Sequence, residues 1–448
     1  MKRIALVSLG CDKNLVDSEV ALGKLVTHGY NVFSSLDDAH LVVLNTCAFI
    51  HEACVETENW IEKLVALKKK DPHKVLVVMG CYVQRFQNAL SRKYPAIDYW
   101  IGVNDFPRLV EILGNGGHRS SSQVYVHAPL FLYDHKTERM LSTPSHYAYV
   151  KIAEGCNNRC SFCLIPSLRG PLRSRPWESV VEEVTHLLDM GIKEVILVAQ
   201  DLTAYGLDLY GKRALPLLLR RVGEVLPTQS WLRLLYLSPY GLDRDLLETM
   251  ATIPQIVKYL DVPLQHINAQ ILCRMNRRLT RQDIEERITL ARTLLPRAFF
   301  RTTFMVGFPG EDENAFEELL EFVAQSRFER MGAFMYSDEP GTPAFSLTPK
   351  VDEEVKRVRY EQLMSLQKRI MKEVHRDLVG KTIEVIIDHK PLEEKGRKFV
   401  WGRTFGDAPD VDGVIKIWLD KNGDYLPGTI GTVKIIRSSA YQLEGEIV

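Results

Sequence analysis

The chain has no net charge: 57 Lys and Arg stand against 57 Asp and Glu in 448 residues. Without a basic surplus it has no global field to draw it onto nucleic acid or an anionic membrane. No apolar run approaches the roughly 20 residues that cross a bilayer, so no membrane association is expected. The opening Lys2-Arg3, the apolar Ile4 to Leu9 and Gly10-Cys11 look superficially like a lipoprotein leader. That run is too short for a leader's core, and polar Asp12-Lys13-Asn14 follows at once, so it reads as a buried first strand. Cysteine is sparse, eight in all. In a chain of this character eight thiols suggest metal or redox chemistry rather than disulfides, and a cytoplasmic setting. The balance of 46% hydrophobic and 25% charged residues is that of a globular protein, long enough for two to four domains.

A fourth ligand is also missing where one is wanted. Cys156-Asn-Asn-Arg-Cys160-Ser-Phe-Cys163 sets three thiols within eight residues, spaced C-x3-C-x2-C. Structural zinc normally takes four Cys or His ligands in paired spacings, and most iron–sulfur clusters take four thiolates. A [4Fe-4S] cube held by three thiolates keeps one iron open for a substrate or cofactor. A catalytic cluster is therefore the leading reading, and an incomplete zinc knuckle the competing one.

Residues 1–125 alternate short apolar runs with helical patterns, which predicts an α/β domain with a doubly wound parallel sheet. Arg3–Leu9, His40–Asn45 and Lys74–Met79 are strand-like, and each ends at a cysteine: Cys11, Cys47 and Cys81. Ligands of open α/β sheets bind at the carboxyl ends of strands, so these three thiols are placed to converge. Three small buried cysteines are the bland alternative. The stretch Gly114 to Ser122 reads as a flexible joint. Six strand-like segments follow, near 147–153, 193–199, 231–237, 257–262, 298–306 and 330–336, within a central domain spanning 142–376. Helices separate most of them, among them Trp177–Met190 behind Pro176, and 281–295 capped by Thr280 with Asp283. Six βα units predict a partial (βα)6 barrel with its chemistry at strand carboxyl ends, and Cys156 to Cys163 lies just after the first strand. One long amphipathic helix is expected from 351 to about 377. In 377–448 short alternating strands broken by Gly, Pro and Asp predict a small antiparallel β-barrel.

The triplet with Phe162 before its last cysteine resembles the signature of the radical S-adenosylmethionine superfamily. Its members bind S-adenosylmethionine on the open iron and release a 5′-deoxyadenosyl radical from it, and the partial barrel is their fold. Ser8-Leu9-Gly10-Cys11-Asp12-Lys13-Asn14-Leu15-Val16-Asp17-Ser18-Glu19, Asn45-Thr46-Cys47 and Met79-Gly80-Cys81 resemble the methylthiotransferase family within it, over essentially the whole chain. That resemblance implies a second [4Fe-4S] cluster on Cys11, Cys47 and Cys81, a TRAM domain at the carboxyl end, and replacement of C–H by C–S–CH3. It also implies an electron donor and a sulfur donor as partners.

The family divides between enzymes of transfer-RNA adenosine and an enzyme of ribosomal protein S-twelve, which β-methylthiolates one aspartate. Leu164 to Arg175, Asp261-Val262-Pro263-Leu264-Gln265-His266 and Gly402-Arg403-Thr404 with Asp407-Ala408-Pro409 and Val411-Asp412-Gly413 are similar to the second branch. Residues 377–448 carry twelve acids against ten bases, a poor grip for RNA phosphates and a better match to a basic protein. Transfer RNA stays the alternative substrate, and an iron–sulfur binding module the non-enzymatic one. A monomer is expected.

By position in that fold, Phe162, Gln200, Arg301 and Met305 are expected at the cofactor, and Gln265 and His266 at the substrate. Each has a structural alternative: a helix cap by Asp201 beside Gln200, an Asp261 partner for Arg301, and packing for Gln265 and His266. The loop Gly307-Phe308-Pro309-Gly310-Glu311 suits close approach of a cofactor. Cys54 and Cys273 match neither triplet and are expected to pack, and Lys68-Lys69-Lys70 to end a helix in solvent.

Overall fold

The computed structural model describes residues 2–114, 122–420 and 425–448, so the expected joint lies, apart from its ends, outside the described residues. The chain forms two compact units: Met1–Ser142 with Ala153–Arg175 and Ser337–Thr342, and Thr143–Ile152 with Pro176–Tyr336 and Pro343–Val448.

The first unit is built on six parallel strands, β1 (Lys2–Ser8), β2 (Tyr30–Val32), β3 (Leu41–Thr46), β4 (Val75–Gly80), β5 (Tyr99–Ile101) and β6 (Gln123–Tyr125), in the order β2-β1-β3-β4-β5-β6. The chain winds one way from β1 to β2 and the other way from β3 onward, so the switch point lies between β1 and β3. β3 and most of β4 are buried throughout, as a strand covered on both faces must be. Helices Asp12–Thr27 and His51–Lys70 cover the sheet, the second ending in the three lysines as expected, with Lys68 paired to Asp98. The three-residue strands β2, β5 and β6 escaped the sequence reading because so few residues show no period.

The second unit opens with β7 (Tyr147–Lys151). The pair β8 (Ala153–Glu154) and β9 (Arg173–Ser174) belongs to the first unit. The barrel continues in the second with β10 (Glu194–Val198), β11 (Trp231–Leu234), β12 (Tyr259–Asp261), β13 (Phe299–Val306) and β14 (Arg330–Met335). All of its strand pairings are parallel, in the order β7-β10-β11 and β12-β13-β14, joined by a parallel bridge between Leu232 and Ile256. Helix Trp177–Asp189 starts behind Pro176, and Arg281–Leu294 has both bonds of the Thr280–Asp283 capping box. Helix Glu353–Arg376, capped by Asp352, leads out of the barrel.

The last module has β15 (Thr382–Ile387), β16 (Leu392–Glu394), β17 (Arg397–Thr404), β18 (Val414–Trp418), β19 (Ile430–Ser438) and β20 (Gln442–Ile447). Five of them close a barrel, β15-β19-β20-β18-β17 and back to β15, with β16 hanging on β17. Its neighbours are antiparallel as expected, except β18 and β20, which run parallel. The apolar Val385, Val400, Ile415, Ile417 and Val433 fill it.

This module sits on the amino-terminal end of the partial barrel, and the first residue of every barrel strand touches it. Tyr147 donates to Asp410, Glu194 accepts from Arg403, Trp231 donates to Glu384 and Tyr259 to Asp412. Phe299 meets Phe405 edge-on at 5.2 Å, and Arg330 donates to Asp407 at 2.6 Å. Arg233, fully buried, adds a second bond to Glu194 at 2.6 Å. These contacts turn Asp388, Asp407 and Asp412 inward together with Arg403. Removing them leaves nine acids and nine bases in the module, so the acidic surplus counted from sequence is a feature of the contact and not of the free surface.

Candidate functional site

Cys11, Cys47 and Cys81 stand where β1, β3 and β4 end, on the carboxyl edge and at the switch point of the first sheet. Two glycines bring them close. Gly10 has φ +86°, and a Cβ there would lie 2.8 Å from Cys47 Cβ, so the Cys11 turn passes directly against Cys47. Gly80 has φ +101°, and its Cβ would fall 2.3 Å from Asn45 Oδ1. Only glycine fits positions both left-handed and this crowded. Polar bonds tie the strand ends together. Asn14 Nδ2 donates to Leu9 O at 2.6 Å and Thr46 O at 3.3 Å, and Thr46 Oγ1 donates to Met79 O at 2.6 Å. Asn45 Nδ2 donates to Ser18 Oγ, which in turn donates to Ser8 Oγ.

Cys11 is exposed, Cys47 half-buried and Cys81 buried. Burial, with Cys81 next to it, pushes the Cys47 thiol up to about 12. Burial also raises Cys81, against the opposing pull of Arg169. These thiols therefore keep their protons until a metal displaces them.

Cys156, Cys160 and Cys163 ride one loop of the same unit, closed at its base by the antiparallel pair β8 and β9. Gly155 has φ +79°, and a Cβ there would lie 2.1 Å from Pro171 O. Cys156 N–H donates to Gly170 O at 3.1 Å, and Leu172 N–H to Asn157 Oδ1 at 3.0 Å. Two backbone donors already face sulfur: Asn158 N–H toward Cys156 Sγ and Ile165 N–H toward Cys163 Sγ, both at 3.4 Å. Such donors favour a thiolate and tune iron–sulfur clusters. Phe162 is half-buried in this loop. Among the described residues no three or more His, Cys, Asp or Glu side chains gather on a single-ion position. The thiolates of a cubane each take a different iron and need no such common point.

In the second unit, Gln200 follows β10 at its carboxyl end, half-buried. The cap is made by Asp201, which accepts from Thr203 N–H and Oγ1. Gln265 has a left-handed backbone, φ +73°, and its N–H and C=O bond Thr303 and Met305 of β13. Its Oε1 is sheltered and lacks a hydrogen-bond partner among the described residues. A strained non-glycine backbone and a buried unpaired acceptor each cost free energy. Met305 beside it is buried.

Three expected positions have neighbours within the chain itself. Arg301, half-buried, lies 3.1 Å from Asp261 and 3.4 Å from Asp412, which meet its charge with carboxylates. His266 is 0% exposed, accepts from Asn268 N–H and lies 3.3 Å from Glu311, itself bonded to Arg359. The space at Gly307 and Gly310 is taken by Lys356 and Arg274 of the chain itself. Cys54 is buried as expected, but Cys273, on the short helix Ala269–Arg274, is exposed.

Three residues were not singled out in the sequence: Asn14, Asp17 and Arg169. Asn14 and Asp17 lie three apart on helix Asp12–Thr27, one face toward the thiols, and Arg169 reaches both. Arg169 is one of three arginines between the triplet and Pro176, and nothing in their spacing says which reaches the dispersed thiols.

A thiol triplet beyond the first strand of a parallel partial barrel defines the class, a radical S-adenosylmethionine protein. Family models agree: the radical SAM superfamily matches residues 150–323, an uncharacterised family designated UPF0004 residues 3–102, and the TRAM domain residues 379–448. The fold resembles TsrM, a radical S-adenosylmethionine methyltransferase from Kitasatospora setae whose structure has cobalamin and a [4Fe-4S] cluster bound. The TM-score is 0.56 at 16% identity, over 77% of either chain. Ribosomal protein uS12 methylthiotransferase RimO of Geobacter sulfurreducens is 41% identical over 100% of this chain and 99% of its own. RimO of Trichlorobacter lovleyi is 42% identical over 100% and 98%. The chain belongs to the RimO methylthiotransferase family.

Proposed function

We propose that this chain methylthiolates the β-carbon of an aspartate in ribosomal protein uS12, the S-twelve protein of the small subunit, and that two [4Fe-4S] clusters serve the reaction. One cluster rests on Cys156, Cys160 and Cys163, the other on Cys11, Cys47 and Cys81. The observation that carries the reading is six thiols in two incomplete sets within one compact unit. Relatives named for uS12 methylthiotransfer and matching end to end support the substrate.

The donor sets fit. Each offers three soft sulfurs and no fourth, so a cubane keeps one iron free of protein. When bound, the first cluster with S-adenosylmethionine supplies radical chemistry at an unactivated carbon, and the second supplies a seat for the sulfur to be transferred. The chain's own work is positional. The N–H groups of Asn158 and Ile165 hold Cys156 and Cys163 sulfurs in place. Asn14 and Thr46 hold the other three strand ends. Phe162, Gln200 and Met305 serve the cofactor and Gln265 the substrate. Arg301 and His266 frame the barrel through their carboxylate partners. The enzyme works as a cytoplasmic monomer with separate electron and sulfur donors. No helix among the described residues is long and apolar enough to cross a membrane.

Reconstituted enzyme, uS12, dithionite and S-adenosylmethionine are expected to give uS12 a gain of about 46 Da, H replaced by SCH3, located on one aspartate. An unchanged mass while the cofactor is being cleaved refutes the substrate. Loss of a methylthioadenosine from the RNA of a deletion strain moves the activity to transfer RNA.

A further inference from the structure

Arg169 ends the short helix Ile165–Arg169 that follows Cys163, yet its guanidinium is 4% exposed and lies in the other thiol set. Nη2 donates to Cys81 Sγ at 3.2 Å and to Asn14 Oδ1 at 3.1 Å. Nη1 donates to Asp17 Oδ2 at 2.5 Å and lies 3.4 Å from Glu154 Oε2. The amide of Asn14 in turn grips the carbonyls of Leu9 and Thr46, which lead into Cys11 and Cys47. One cation on the helix that follows Cys163 thus touches one thiol of the dispersed set directly. It holds the approach to the other two through a single side chain.

We propose that Arg169 is a positioning residue that sets the reduction potential of the cluster on Cys11, Cys47 and Cys81 and fixes the register of the two thiol sets. The inference rests on the two-cluster reading above. A guanidinium stays protonated, and its planar fork serves two acceptors on one edge while carboxylates hold the other. Asp17 and Glu154 stop it from turning away. Reduction of a cluster adds one negative charge, and a fixed cation bonded to a ligand sulfur favours that state. Hydrogen bonds to sulfur and net charge are the levers by which proteins set such potentials. Lysine keeps the charge but has one nitrogen, so it cannot hold Cys81 and Asn14 on one nitrogen while Asp17 and Glu154 hold a second.

The test uses the full-length chain with Cys156, Cys160 and Cys163 all changed to Ala, so that iron can enter one set only. This parent is compared with Arg169→Gln and Arg169→Lys in the same background, by iron and sulfide content and by a redox titration followed by electron paramagnetic resonance. The parent is expected to hold about four iron. Arg169→Gln is expected to move the midpoint potential to more negative values with an altered resonance, and Arg169→Lys to move it less. If the Gln variant does not load, the Lys variant decides. Loaded variants that keep the parent's potential overturn this inference alone. A parent without iron overturns the two-cluster reading and this inference with it.

Discussion

Cys156, Cys160 and Cys163 ride one continuous loop, pinned at its neck by β8 and β9 and by Gly155 packing against Pro171. Cys11, Cys47 and Cys81 leave three different strands, 36 residues apart at the first step and 34 at the second. The loop holds its sulfurs with its own backbone N–H groups. The dispersed set relies on side chains borrowed from elsewhere: Asn14, Asn45, Thr46 and Arg169. A local site survives as long as its loop does. A dispersed site exists only while the sheet holds its strands in register, and so it depends on the fold's stability.

That contrast is open to attack at several strengths. The largest effect belongs to the sulfurs: Cys160→Ala is expected to abolish cofactor cleavage, and Cys47→Ala to spare cleavage while abolishing methylthio transfer. Each is expected to lower iron from about eight to about four per chain, read by iron assay and 5′-deoxyadenosine formation. Cleavage lost in both variants would show that the sets do not act separately.

Arg403→Ala comes next. It leaves Glu194 with Arg233 alone and Asp388 with His146 alone, a loss of about 3 kcal/mol in chemical denaturation of the second unit. Both thiol sets belong to the first unit and are expected to keep their iron. Asn14→Ala frees the carbonyls of Leu9 and Thr46, costs about 1–3 kcal/mol, and is expected to deplete iron from the dispersed set alone. Equal depletion of both sets would erase the distinction drawn here.

The smallest effects are in pH. Since burial holds protons on Cys47 and Cys81, iron loading of the dispersed set is expected to rise between about pH 7 and 9, measured in the variant lacking the loop cysteines. At the module contact burial acts on a base and so lowers its pKa instead of raising it. Burial, then Arg330, lowers His375 from 6.5 to about 4. Its neutral form stabilises the fold above the unfolded value, and that contribution is lost as pH falls from 6.5 toward 4. Against the cost of burial, Arg330 holds Asp407 low, while His146 and Arg403 hold Asp388 low. Their share is lost at lower pH still, and an acid titration of unfolding temperature is expected to show the two steps. Changing His375 to Gln is expected to remove the first.

Much of this architecture is legible in the chain. Val75 to Met79 and Val195 to Val198 are continuous apolar runs, and Thr280 with Asp283 marks a helix start in the sequence itself. The compact triplet announces itself because its ligands are neighbours. His266 and Arg301 were harder. Each looks like a polar group aimed at a ligand, but whether a carboxylate already waits beside it depends on Glu311 and Asp261, 45 and 40 residues away.

Local order therefore set the strands, the helix caps, the glycine turns before the cysteines and the spacing of the loop thiols, because those depend on residues a few positions apart. The fold alone decided that Arg169 reaches Cys81 and that the first residue of every barrel strand is covered by the last module. A buried charge chooses its partner by distance in space and by the cost of having none, and neither quantity is written along the chain.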